Sequence, residues 1–213
     1  YNQMIEEKIN IERPMKVVMD CGNAAGCINA PSVFNGLGIE TKELYCDPDG
    51  TFPNHHPDPT IVENLVDLVS EMRSGRYDVG FAFAGEIIWA DQLMALFLPE
   101  IIKNKEPVLF DVKCSQALED LIIHYGGKPI MYKTGHSVIK NKMRELDCKF
   151  GGEMSGHIFF ADDYYGFDDA IYVAARLVQL LSRTNKRLSE LKSIIPTYYS
   201  TPELRMEAKN CLL

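Results

Sequence analysis

Residues 107–146 read PVLFDVKCSQALEDLIIHYGGKPIMYKTGHSVIKNKMREL, and their rhythm sets the fold class. Residues 107–113 are a β-rich run, 116–125 have helical spacing, 128–134 are again β-rich, and 138–146 are again helical. Alternation of this kind is the signature of an α/β layer. Outward toward the C-terminus, 149–160 carries strand character around a Gly-Gly and a Gly-His, and 169–183 predicts a long amphipathic helix. Toward the N-terminus, 91–103 predicts a helix, and 16–21 (KVVMDC), 40–46 (ETKELYC) and 78–84 (DVGFAFA) predict strands. Between the last two, Thr60-Ile61-Val62-Glu63 has capping-box spacing, followed by Leu65, Leu68, Val69 and Met72 at helical intervals before Gly75. The chain therefore reads as two α/β domains in tandem, joined near residues 87–90. Each half opens with a strand ending in Asp and a polar turn, at Asp20 and at Asp111. That one shared pattern does not establish an internal repeat.

Composition bounds the function. A 213-residue chain with 46% hydrophobic and 24% charged residues is globular, not disordered, collagenous or a coiled coil. Its net charge of −8 argues against a nucleic-acid or anionic-membrane partner, which would be bound through clustered Lys and Arg. Six cysteines without a Cys-x-x-Cys pair read as reduced thiols of a cytoplasmic protein. The first residues are neither an initiator methionine nor a signal peptide, no apolar run approaches a membrane span, and the chain is expected to begin within a longer protein.

Four constellations could carry chemistry. The loop 46–59 (CDPDGTFPNHHPDP) offers His and carboxylates, but its prolines fix a rigid turn and its spacing fits no common metal signature, so the structural reading is favoured. Lys113, followed by Cys114 and Ser115 at a strand end, suits an anionic oxygen if backbone N–H groups there are free; simple solvation is the commoner fate of such a lysine. In Lys133-Thr134-Gly135-His136-Ser137, Gly135 lets the backbone approach a ligand and His136 can move a proton, with a helix cap by Ser137 as the bland alternative. In Gly151-Gly152-Glu153-Met154-Ser155-Gly156-His157, an extended backbone would project Glu153, Ser155 and His157 to one side, an arrangement suited to sugar hydroxyls. The structural alternative there is a hairpin with Glu153 in solvent. No P-loop, G-x-G-x-x-G, G-x-S-x-G or H-E-x-x-H occurs, and Gly22 to Gly26 only faintly resembles a nucleotide-binding turn.

Taken together, residues 16–23 (KVVMDCGN), 46–65 (CDPDGTFPNHHPDPTIVENL), 85–93 (GEIIWADQL), 110–118 (FDVKCSQAL), 126–140 (GGKPIMYKTGHSVIK), 151–160 (GGEMSGHIFF) and 164–177 (YYGFDDAIYVAARL) resemble the bacterial phosphomannomutase/phosphoglucomutase family of α-D-phosphohexomutases, in colinear order. The resemblance implies two small domains, each a mixed sheet flanked by helices: 1–86 as the family's second domain, with 1–13 a remnant of the preceding helix; 87–196 as its third; and 197–213 as a hinge toward a fourth. It implies transfer of a phosphoryl group between hexose 1-phosphate and hexose 6-phosphate through a phosphoserine and a magnesium ion. On that map Glu153 and Ser155 bind the sugar together with Gly135 and Lys133, while Lys113, His136 and His157 fall on active-site positions, the two histidines being candidates for acid/base work.

The departures are specific. The family's Asp-Gly-Asp-x-Asp-Arg metal loop should follow residues 78–83, but Phe83-Ala84 passes directly into Gly85-Glu86-Ile87-Ile88, and no nucleophile-serine segment occurs. The gap is either a true deletion or a loop missing from a trimmed sequence. As written, the chain is expected to hold no magnesium and to be inactive alone. A deletion would bare a sheet edge and favour a homodimer.

Overall fold

The computed structural model describes residues 1–58, 61–82 and 88–199. In the first half, β1 (Lys16–Asp20) lies between β2 (Glu40–Leu44) and β3 (Val79–Ala82), parallel to both. A short 3-10 turn (Ala25–Ile28) and α2 (Ala30–Gly36) connect β1 to β2, while a second 3-10 turn (Val62–Leu65) and α3 (Val66–Arg73) lead into β3. Helical crossovers of this kind bring successive strands back in the same direction, so β1 is covered on both faces and needs an unbroken apolar run. Val17, Val18 and Met19 supply it and are fully buried. The three described strands of this sheet are thus all parallel, where a mixed sheet was expected. The capping box proposed at Thr60 and the gap at 83–84 lie outside the described residues, as does most of the hinge expected at 197–213.

The second half has the expected mixed sheet, ordered β5-β4-β6-β7. Strands β4 (Pro107–Asp111), β5 (Lys128–Tyr132) and β6 (Phe150–Gly152) are parallel, and β7 (Ile158–Phe160) runs antiparallel to β6. Between them lie α5 (Gln116–His124) and α6 (His136–Glu145); α4 (Ala90–Ile101) precedes the sheet. The long helix α7 (Ala170–Ser182) starts where Asp169 accepts a hydrogen bond from the Tyr172 N–H at 3.0 Å, and α8 (Leu188–Lys192) follows.

One correction concerns residues 153–157. They are the tight turn between β6 and β7, closed by the Glu153 N–H on the His157 carbonyl at 2.8 Å and the Gly156 N–H on the Glu153 carbonyl at 3.1 Å. Alternate residues therefore do not share one face. Gly151 and Gly152 are also spent on packing: a Cβ at Gly151 would stand 2.7 Å from the Leu109 carbonyl oxygen, and one at Gly152 would stand 2.8 Å from that of His157.

The N-terminal helix α1 (Asn2–Lys8) buries Ile5, and its Asn2 donates to Ser32 of α2 at 2.8 Å. The same segment reaches the second half: Tyr1 donates to Asp169 at 2.7 Å, Lys8 pairs with Asp163 at 3.1 Å, and Glu12 pairs with Arg183 at 3.0 Å. One continuous core joins Ile5, Met19 and Phe34 to Phe97, Phe150 and Tyr172. Among the described residues no helix is long and apolar enough to cross a membrane.

Candidate functional site

Because β4, β5 and β6 are parallel, their C-terminal ends deliver three loops to one edge of the sheet, where α/β folds gather ligands. Asp111, 0% exposed, fastens all three. One carboxylate oxygen accepts from the Thr134 hydroxyl at 2.9 Å; the other accepts from the Met154 N–H at 3.0 Å and the Cys114 thiol at 3.2 Å. Sequence reading noted Asp111 only as a strand end.

Glu153 stands in the middle of this edge and is 1% exposed. Its Oε1 accepts the Gly135 N–H in a short hydrogen bond. Its Oε2 is buried and has no hydrogen-bond partner among the described residues. A buried acceptor left unmatched costs about 1–3 kcal/mol, so this oxygen calls for a donor. Gly135 caps α6 with φ +134°, a backbone state that only glycine adopts without strain, which is how its N–H comes to face Glu153.

His136 opens α6, and its ring centroid lies 5.7 Å from that of His157. His157 Nδ1 sits 2.5 Å from Asp168 Oδ2. A carboxylate accepts, so Nδ1 carries the hydrogen and Nε2 of the neutral ring is left to accept a proton. The structure thus brings Gly135, His136, Glu153 and His157 together. Lys133, Ser155 and Lys113 are exposed in the three loops of the same edge. The backbone N–H groups expected to be free beside Lys113 are taken: Cys114 N–H by the Asp111 carbonyl at 3.1 Å, Ser115 N–H by the Asp91 carboxylate at 2.8 Å. Sequence reading missed Asp168; the doubled Asp168-Asp169 at a helix start was the available signal.

In the first half, the loop after β2 is bonded to itself and to β1. His55 Nε2 sits 3.2 Å from both Asp20 oxygens, Asn23 donates to the Asp47 carbonyl at 2.7 Å, and Asn54 donates to Asn23 at 2.8 Å. Burial holds the Asp20 carboxyl above the ordinary carboxylate range, although the Gly22 N–H and His55 pull it down. This network favours the structural reading of the loop.

Magnesium wants about six oxygen ligands, carboxylates prominent among them. Between Asp78 and Asp91 the sequence offers one carboxylate, Glu86, and among the described residues no three His, Cys, Asp or Glu side chains converge to hold a metal. The described residues do not offer the donor set for the ion that the family resemblance implies.

Comparison with known proteins places the chain as a whole. The family model for phosphoglucomutase/phosphomannomutase alpha/beta/alpha domain II matches residues 1–87, and that for domain III matches 89–198. A phosphomannomutase/phosphoglucomutase of Pseudomonas aeruginosa is 43% identical over 220 residues, covering 97% of this chain and 48% of that protein. A phosphoglucomutase of Neisseria meningitidis is 42% identical over 97% of this chain and 48% of its own length. The crystal structure of a phosphoglucomutase/phosphomannomutase family protein from Burkholderia thailandensis superposes with a TM-score of 0.89 at 40% identity, covering 95% of this chain and 47% of that one. The chain spans about half the length of the curated relatives it matches. With both halves matched in order, this chain belongs to the phosphoglucomutase/phosphomannomutase family.

Proposed function

We propose that this chain is the sugar-recognition part of a phosphohexomutase, comprising the second domain (1–86), the third (87–196) and a hinge (197–213), and that it binds hexose phosphate without turning it over. The observation that carries the reading is the unmatched, buried Oε2 of Glu153, held beside Gly135 and the two histidines. A sugar hydroxyl donates to that oxygen, Ser155 and Lys133 approach from the rim, and Lys113 faces an anionic group. His157, oriented by Asp168, accepts a proton at Nε2, with His136 as the alternative acid or base. The parent enzyme would use magnesium, and its nucleophile serine and metal loop supply most of the charge neutralisation that phosphoryl transfer requires. Without them this chain is inactive alone. Its place is the cytoplasm, with hexose 1- or 6-phosphate as partner.

Calorimetric titration with glucose 6-phosphate and mannose 1-phosphate tests this. Binding of at least one is expected, and Glu153→Gln should weaken it by about tenfold, the worth of one charge-assisted hydrogen bond. Absence of binding to either sugar phosphate sinks the reading.

A second reading, a non-catalytic sugar-phosphate-binding or interaction protein derived by deletion, has one observation in its favour. The match to the Pseudomonas relative runs over 220 residues, more than the 213 here, so the relative carries positions without a counterpart in this chain. An intact mass of 24.1 kDa for the natural product supports the deletion, and a heavier one supports the ordinary mutase.

A further inference from the structure

Two thiols at the ends of β1 and β2 are not used by the sugar site. Cys21 directly follows β1 and is 1% exposed; Cys46 lies two residues beyond β2 and is partly exposed. Backbone pairing between the two chain segments continues past Cys21 and as far as the residue before Cys46, with the Cys21 N–H on the Leu44 carbonyl at 3.0 Å and the Asn23 N–H on the Tyr45 carbonyl at 2.8 Å. The backbones that carry the sulfurs are therefore held in register. The two Sγ atoms lie 2.9 Å apart, about 1 Å more than a disulfide bond.

Their environments divide the labour. The contact with Cys21 holds the Cys46 thiol below the ordinary cysteine range, against burial and the nearby charges of Glu43 and Asp20. The same contact, and then burial, push the Cys21 thiol up. Cys46 is thus the reachable thiol, the one more readily deprotonated, and Cys21 the buried thiol waiting beside it. The third thiol of this region, Cys27, faces the Tyr45 carbonyl at 3.4 Å, and burial raises it.

We propose that Cys21 and Cys46 form a dithiol oxidation site that a hydroperoxide converts to an intramolecular disulfide. The Cys46 thiolate attacks one oxygen of hydrogen peroxide, the O–O bond breaks, the departing oxygen takes up a proton and leaves as water, and Cys46 becomes a sulfenic acid. The Cys21 sulfur then attacks the Cys46 sulfur. The S–O bond breaks, and the departing hydroxide takes the Cys21 proton to give a second water. Two electrons have passed from the sulfurs to the peroxide, and a dithiol reductant returns them. The bond would tie two parallel strands together next to the Asp20–His55 pair, independently of whether the other half binds sugar.

The test is peptide mapping without reductant after the reduced full chain is treated with hydrogen peroxide and its remaining thiols are capped with N-ethylmaleimide. The expected product is a linked Cys21–Cys46 peptide, lighter by two hydrogens and reversed by dithiothreitol, with a rise in Tm of about 5 °C or more. Cys27→Ser should form the same link, whereas Cys46→Ser should leave Cys21 as a thiol. If Cys46→Ser fails to fold, the map of the unmodified sequence decides alone, since it identifies the pair. Sulfinic or sulfonic acid at Cys46 with Cys21 still free, a Cys21–Cys27 link, or no link at all would overturn the proposal.

Discussion

Asp111 shows how one buried carboxylate can hold three loops together. Its two oxygens satisfy three donors from three loops while it is wholly excluded from water. Replacing it with Ala leaves those donors unmatched, and urea unfolding should register a loss of about 2–4 kcal/mol; unchanged stability would mean that the loops hold themselves. Glu153 differs in kind, because one of its oxygens is still unmatched. The residues themselves were legible in the sequence: Gly135, His136, Glu153 and His157 were all singled out and do come together. Their fastenings were not. Asp111 meets Thr134 across 23 positions and Met154 across 43, and His157 meets Asp168 across 11, distances at which pattern reading has no purchase.

At the scale of elements, periodicity located the strands and helices because burial imposes it: β1 and β4 are covered on both faces and read as apolar runs, and α7 is buried nearly all round. Reading failed where a turn had β composition. The alternation in 153–157 looked extended, yet the Glu153–His157 hydrogen bond folds it back, and Gly151 and Gly152 let β6 approach β4 and β7. Gly135 is the glycine whose conformation the site needs. Gly135→Ala would force a side chain into φ +134° and bring its Cβ to 3.4 Å from Val138 Cγ2. A destabilisation of about 1–3 kcal/mol in thermal melts, accompanied by weaker sugar-phosphate binding, is the expected result. A variant with native stability and native affinity would show that the cap is not what aims Glu153.

For the molecule as a whole, the telling feature is β3, an edge strand of the described first sheet, whose Val79-Gly80-Phe81-Ala82 carries no charge to discourage pairing. If the metal-loop segment is truly deleted, light scattering should find a dimer built on this edge, and Phe81→Lys should return it to a monomer. A monomeric natural chain would count against the deletion.

The long reach of the N-terminus bears on how the two halves stay together. Tyr1, Lys8 and Glu12 are held by Asp169, Asp163 and Arg183, so a segment that begins the first half is gripped by residues just before and just after the long helix α7 of the second. The peptide joining the halves is then only one of their attachments. A protease nick there would leave a clasped pair of fragments that elutes as a single particle and separates only in denaturant.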